Sequence, residues 1–302
     1  MDNQNIMNQQ PVVENKPSKV TTLLFCIWVI AAVILIQVGV GAISVIPVAF
    51  KAFAASGGDM TVYQQEYTRL ATESPILTYA QFAAGGVAAI VMVIWYLNGY
   101  VKKDKQAGKY ESVLPKLKDV NGILFFVLGT LGVWALACIL QIAAANLFPS
   151  QAELMNNALN LSLGGNVVLG LISAVIFAPV CEEIAVRGII VQRSKKVFTI
   201  VGVAIISAVL FGVFHMNLIQ GIYVLPMGLL WGYIAYKYNS VIPTIICHLI
   251  NNLFGMTVAA YINPDGNIWI YVIMFVVLSA AAAFFWSRSK IVKNAEEKIE
   301  EA

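Results

Sequence analysis

A chain of 302 residues with 59% hydrophobic and only 12% charged side chains lies far from the roughly 25% charged composition of soluble domains. That balance excludes a water-soluble globular fold and implies an integral membrane protein. The net charge of +3 says little about partners, because in a bilayer the placement of lysines and arginines matters more than their sum. No nucleic-acid partner is expected; the lipid bilayer is one.

Residues Met1 to Lys19 form a polar stretch rich in Asn and Gln, without the basic start and small-residue cleavage site of a signal peptide; a disordered tail is expected. From Val20 to Phe50 the chain is uncharged for longer than the ~20 residues a spanning helix needs, and Lys51 ends the run. A polar loop broken by Gly57-Gly58 is expected up to Ser74, then a second span over Pro75 to Tyr100. Lys102, Lys103, Lys105, Lys109, Lys116 and Lys118 crowd the next loop, and a third span occupies Val120 to Phe148, so residues 20–148 hold the first three spans. Pro149 to Asn166, with Glu153, several Asn and Gly164-Gly165, is expected to be an interfacial connection.

Span four starts near Val167 and closes at Arg193, Lys195 and Lys196. Val197 to Tyr236 carries no charge and is about twice the length of one crossing, so two spans are expected, broken between His215 and Gly221. Span seven runs from Val241 to Ile262, a turn follows at Asn263-Pro264-Asp265-Gly266, and the last span, Asn267 to Trp286 within the segment 263–287, precedes a charged tail over 288–302. Eight crossings leave only Lys51 and Arg69 on one side, with nearly all other basic residues in the tails and alternate loops. Both termini are therefore expected to be cytoplasmic. The fold class is an all-α polytopic bundle of about eight transmembrane helices.

Four cysteines, Cys26, Cys138, Cys181 and Cys247, lie inside apolar runs without a C-x-x-C spacing and read as buried thiols. The ionisable side chains left within spans are Glu182, Glu183, Arg187, His215 and His248. Charges at membrane depth cost roughly 2.5–3.5 kcal/mol on insertion scales, so the group marks a functional site. Glu183 and Arg187 are four apart with the acid N-terminal, the favourable order for a pair. Glu182 lies ~100° around the helix without that partner, the condition under which a carboxylate can trade protons near neutral pH. Pro179 removes a backbone donor one turn earlier, so a bend or an opened carbonyl is expected there.

Phe211 and His215 are four apart, as are His248 and Asn252, with Asn251 beside them. Each pair shares a helical face. Together these residues supply a base for water and donors for an oxyanion. The blander readings are interhelical hydrogen-bonding histidines, a structural Glu183–Arg187 pair and Asn252 as packing glue. Gly228 and Gly232, spaced small-xxx-small, read as close helix packing.

Glu182-Glu183-x-x-x-Arg187, Phe211-x-x-x-His215 and His248-x-x-x-Asn252, in that order on separate predicted helices, resemble the signature of the CAAX-protease and bacteriocin-processing membrane peptidases, the CPBP or Abi family. The resemblance covers about Val167 to Val258, within a core of residues 149–262. It implies an intramembrane endopeptidase of the cell membrane acting on a membrane-associated peptide or protein. Glu182 would activate water with His215, His248 and Asn252 would hold the oxyanion, and Glu183, Arg187 and Phe211 would shape the site. Val186 stands where an aromatic residue commonly precedes the arginine.

Two histidines with a glutamate also make a zinc set. A metal-free glutamate mechanism is preferred, because ligands close in sequence such as H-E-x-x-H are absent. A proton-coupled transporter or a catalytically silent immunity protein of the same fold are the alternatives. One strain remains in the pattern. At 1.5 Å per residue, Glu182 lies roughly 16 Å from Arg193 and His248 roughly 12 Å from Ser240, but His215 roughly 26 Å from Phe198.

Overall fold

In hydrocarbon every backbone N–H and C=O must be satisfied internally, which leaves a long uncharged segment little choice but a helix. The computed structural model describes residues 17–73, 75–164, 166–257, 259–263 and 267–292, and all regular structure among them is helical. The tail over 1–16, Gly165, the tip of the expected turn at 264–266 and the end of the charged tail over 293–302 lie outside the described residues.

The long helices are α1 (Lys19–Ser56), α3 (Ile76–Gln106), α4 (Val120–Leu147), α6 (Val167–Ser194) and α12 (Ile268–Arg288), each long and apolar enough to cross a membrane. Between them lie α2 (Met60–Glu73), α5 (Pro149–Gly164), α7 (Ile200–Phe214), α8 (Leu218–Tyr223), α9 (Leu225–Tyr238), α10 (Ile242–Thr257) and α11 (Ala259–Ile262). The bundle is a multi-pass membrane protein. Large apolar side chains such as Phe50, Ile90, Val201 and Ile273 are more than half exposed, an outward-facing apolar surface suited to lipid.

Chemistry at the ends explains most boundaries. Ser18 caps α1 by accepting from Thr21 N at 3.1 Å, Asn166 caps α6 through Leu169 N at 3.1 Å, and Asn217 caps α8 through Gln220 N at 3.0 Å. Such caps satisfy donors that the first turn leaves free.

One expectation is corrected here. Most of the stretch expected as a polar loop up to Ser74 is helical: α1 runs five residues past Lys51 and stops at Gly57, whose φ is +57°. Asp59 then caps α2 through the N–H groups of Thr61 and Val62 at 2.7 and 3.1 Å. Glu66 and Arg69, three apart, pair on its surface at 2.7 Å. α2 packs on α1 through half-buried Tyr63, Tyr67 and Leu70 and buried Ala71, a narrow stripe on a helix too polar overall for hydropathy to mark.

α4 and α12 pack along their lengths, α1 lies against α3, and α7 lies against α9. The last contact depends on Gly228 and Gly232: a Cβ on Gly228 would come within 2.6 Å of Ala208 Cα, and one on Gly232 within 3.0 Å of Ser207. The small-residue spacing thus brings two backbones together, as expected. α6 runs through the middle and touches α1, α3, α7, α9 and α10.

Candidate active site

The site is built on α6, which gives up regular winding twice, at Ser173–Phe177 and Ile184–Ile190, where backbone bonds span five residues instead of four. Such π segments are rare and concentrate at functional sites. The first has a cause in the sequence. Ala178 N–H bonds Ser173 O, so in the same register Ala174 O faces residue 179, a proline with no N–H. The freed carbonyl is taken by the side chain of Asn252, whose Nδ2 donates to Ala174 O at 2.8 Å. The opened carbonyl expected from Pro179 is found, and it ties α10 to α6.

The expected pair is present: Arg187 Nη1 donates to Glu183 Oε1 at 2.9 Å, both side chains wholly buried. Arg187 Nη2 also reaches Gly228 O at 3.5 Å. The guanidinium lies 4.3 Å from the ring centroid of Phe211 and 5.5 Å from that of Trp231, aromatic faces that favour a desolvated cation. His248 Nδ1 donates to the same Glu183 oxygen at 2.9 Å. Glu183 is therefore shared between a cation and an imidazole.

Glu182 looks the other way. Its Oε2 is buried and without a hydrogen-bond partner, and it stands 4.0 Å from both His215 Nε2 and His248 Nε2. The tautomers follow from the partners. His215 Nδ1 lies 2.7 Å from Phe211 O, and a carbonyl only accepts, so Nδ1 carries a proton and Nε2 turns to Glu182. His248 is fixed the same way by the Arg187-paired carboxylate. Two imidazoles thus present matching nitrogens to one carboxylate oxygen.

His215 reaches this position because α7 ends there. Its N–H closes the last turn on Gly212 O at 3.3 Å, and Met216 reverses the chain with φ +50°. The depth conflict in the sequence also shrinks. α6 extends to Ser194 and α7 begins only at Ile200, so the two rises become roughly 18 and 22 Å, a gap that inclined packing of helices accommodates.

Asn251 Nδ2 donates to Asn252 Oδ1 at 2.9 Å, which holds both ends of the Asn252 amide. These groups line an inner chamber of about 240 Å³. It shares His215, Gln220, Tyr223, Asn251 and Asn252 with an outer chamber of about 750 Å³.

Glu182, His215 and His248 are chemically a zinc donor set. Tetrahedral zinc with bonds near 2.0–2.2 Å holds its donors roughly 3.3–3.5 Å apart, closer than the 4.0 Å found here. Among the described residues no group of three His, Cys, Asp or Glu closes to metal-holding geometry. The residue types fit zinc and their spacing does not.

Sequence reasoning missed Trp231, whose ring lies 4.8 Å from that of His248 while its Nε1 donates to Thr130 Oγ1 on α4 at 3.2 Å. It also missed Gln81 and Ser173 in the chamber wall. Trp231 is flanked by the two packing glycines three before and one after, the only signal that could have pointed to it; for Gln81 and Ser173 there is none.

Residues 164–254 match a family model described as Type II CAAX prenyl endopeptidase Rce1-like, the family of proteases whose motif order the sequence resembles. No curated protein and no solved structure matches the chain.

Proposed function

We propose that this protein, which carries a CAAX-protease segment over residues 164–254, is an intramembrane endopeptidase of the glutamic type. The observation that carries the reading is the Glu182 oxygen flanked at 4.0 Å by two imidazole nitrogens. Atoms at that separation can share one water about 2.8 Å from each. Glu182 takes a proton from this water as its oxygen attacks the scissile carbonyl, with His215 orienting it from an imidazole anchored on Phe211 O. The oxyanion of the tetrahedral intermediate accepts from Asn252 Nδ2, which keeps a second N–H, and from His248 Nε2 when protonated. His248 Nδ1–H is already given to Glu183, which holds the ring with Nε2 toward the reacting atoms. Collapse breaks the C–N bond, and Glu182 returns its proton to the leaving amine.

The short helices α7, α9 and α10 complete an eight-span bundle around the catalytic core of residues 149–262, with both termini cytoplasmic. Support for this orientation is the gathering of basic loops at one end: Lys116 Nζ donates to Tyr238 O at 3.1 Å, Lys195 Nζ to Asn239 at 2.6 Å, and Arg193 covers Phe25 of α1. Asp119 accepts from Ser289 and Lys290 at the same end. Substrates are membrane-associated peptides, either of the CAAX type or bacteriocin-like precursors.

Membrane peptidomes of cells carrying the wild type and Glu182→Ala test the activity. Precursors uncut only in the variant are expected, and identical peptidomes under all conditions would remove the enzyme reading. Elemental analysis of the purified protein is expected to find zinc well below one atom per chain.

A further inference from the structure

The hydrogen bonds around Asn252 leave one group over. Pro179 frees Ala174 O, and a carbonyl only accepts, so the end of the Asn252 amide that meets it at 2.8 Å is Nδ2. Asn252 Oδ1, at the other end, accepts from Asn251 Nδ2 at 2.9 Å. With its nitrogen so placed, Asn251 turns Oδ1 elsewhere, and that oxygen is buried with no hydrogen-bond partner among the described residues. A hydroxyl could rotate to donate or to accept; an amide oxygen held through its own nitrogen has no such freedom.

Folded proteins seldom leave a buried acceptor unpaired, because the group has lost its water without a replacement. A ligand that supplies the donor accounts for such an atom. Asn251 lines both chambers, as Asn252 does, and the inner one also holds Glu182, His215 and His248. The acceptor therefore belongs to the wall along which a substrate would lie, and its residue is one hydrogen bond away from the amide assigned to the oxyanion. In an antiparallel sheet two opposite residues exchange both of their N–H···O bonds, so each meets a donor and an acceptor side by side. Asn252 and Asn251 offer the same pair from their side chains, Nδ2 for a carbonyl and Oδ1 for an N–H.

We infer that Asn251 Oδ1 accepts the backbone N–H of the residue whose carbonyl is cut, so that Asn251 and Asn252 grip one residue of an extended substrate by both of its main-chain groups. The inference rests on the peptidase reading of Glu182 and adds a substrate-binding residue to it. Asn251 then has two tasks: Nδ2 sets the Asn252 amide, and Oδ1 holds the residue before the cut in register with Glu182. That residue must carry an N–H, whatever its side chain, which disfavours proline at the position.

The test changes one atom of the substrate. Full-length wild-type protein in detergent micelles is given a synthetic library of twelve-residue peptides, and the peptide cut fastest is remade with the N–H of the residue before the cut replaced by an ester oxygen. A control peptide carries the ester one residue upstream, where the N–H of an extended chain faces the opposite way. The first ester is expected to lower kcat/KM about tenfold, the scale of one neutral hydrogen bond lost with its acceptor left unpaired, and the control less than threefold. A loss below threefold with the first ester, or equal losses with both, overturns the inference. Asn251→Ala, or Asn251→Leu should the first not fold, is expected to slow the all-amide peptide and to cut the amide-to-ester ratio to less than half its wild-type value. An asparagine with a structural role alone would slow amide and ester alike, and a ratio that stays above half overturns the inference. Should neither variant fold, the two esters on the wild type decide. Absence of any cut by the wild type removes the peptidase reading and the inference with it, whereas cuts that ignore the ester overturn the inference alone.

Discussion

α4 and α6 are each 28 residues long and both apolar enough to span a membrane, yet they are used in opposite ways. α4 is a regular α-helix without a charged side chain, packed along its length on α12. α6 carries Glu182, Glu183 and Arg187 and is wound wide at two places. Regular winding consumes every interior carbonyl, and a helix that must offer backbone oxygen to a neighbour has to release one. Pro179 releases Ala174 O, and Asn252 takes it up. α4 bonds the site through Thr130, which accepts from Trp231, and otherwise lends neutral side chains such as Trp134 and Gln141 to the outer chamber wall. One helix is scaffold and the other is machinery.

The contrast can be broken most severely at Glu182. Glu182→Gln is expected to lower kcat about 10²–10⁴-fold, the range for removing a general base, without lowering the melting temperature, since the oxygen lost makes no hydrogen bond; peptide turnover and thermal unfolding in detergent measure the two effects. Next comes the ion pair. Arg187→Met strands a fully buried Glu183 and is expected to cost about 3–5 kcal/mol, whereas adding Glu183→Gln recovers most of that loss. Unfolding of the single and double variants checks it, and additive losses would show that Glu183 and Arg187 are not coupled.

Pro179→Ala restores a backbone donor facing Ala174 O. It is expected to loosen Asn252 and reduce turnover roughly ten- to a hundredfold, the scale of an ångström-level misplacement, while stability holds or rises. A fall in melting temperature with unchanged turnover would contradict the role given to the freed carbonyl. The smallest effect belongs to packing. Gly228→Ala pushes a methyl into Ala208 and is expected to cost about 1–3 kcal/mol, against almost nothing for Gly41→Ala, where a Cβ meets no atom within 4 Å.

The sequence made the scaffold readable because hydropathy and charge act locally. Val120, Val167 and Ile268 begin helices within a residue or two of the expected starts, and the polar break at His215 to Gly221 falls where α7 ends and α8 begins. Glu183 with Arg187 was equally legible, since i,i+4 spacing fixes the contact on one helix. α2 was not, because its short stripe of Tyr63, Tyr67, Leu70 and Ala71 against α1 is diluted by polar residues and its start depends on the Asp59 cap. Nor could spacing reveal that His248 divides its two nitrogens between Glu183 and Glu182, or that Trp231 stands against it. Those contacts join residues on different helices, α10 with α6 and α10 with α9, and exist only once the bundle is packed.

The most direct test of water activation by Glu182 uses purified full-length protein in liposomes, a peptide library and water enriched in oxygen-18. New carboxyl termini carrying a single heavy oxygen are expected in the wild type and are lost in Glu182→Gln. Equal cleavage by both proteins, or none by the wild type, would contradict it.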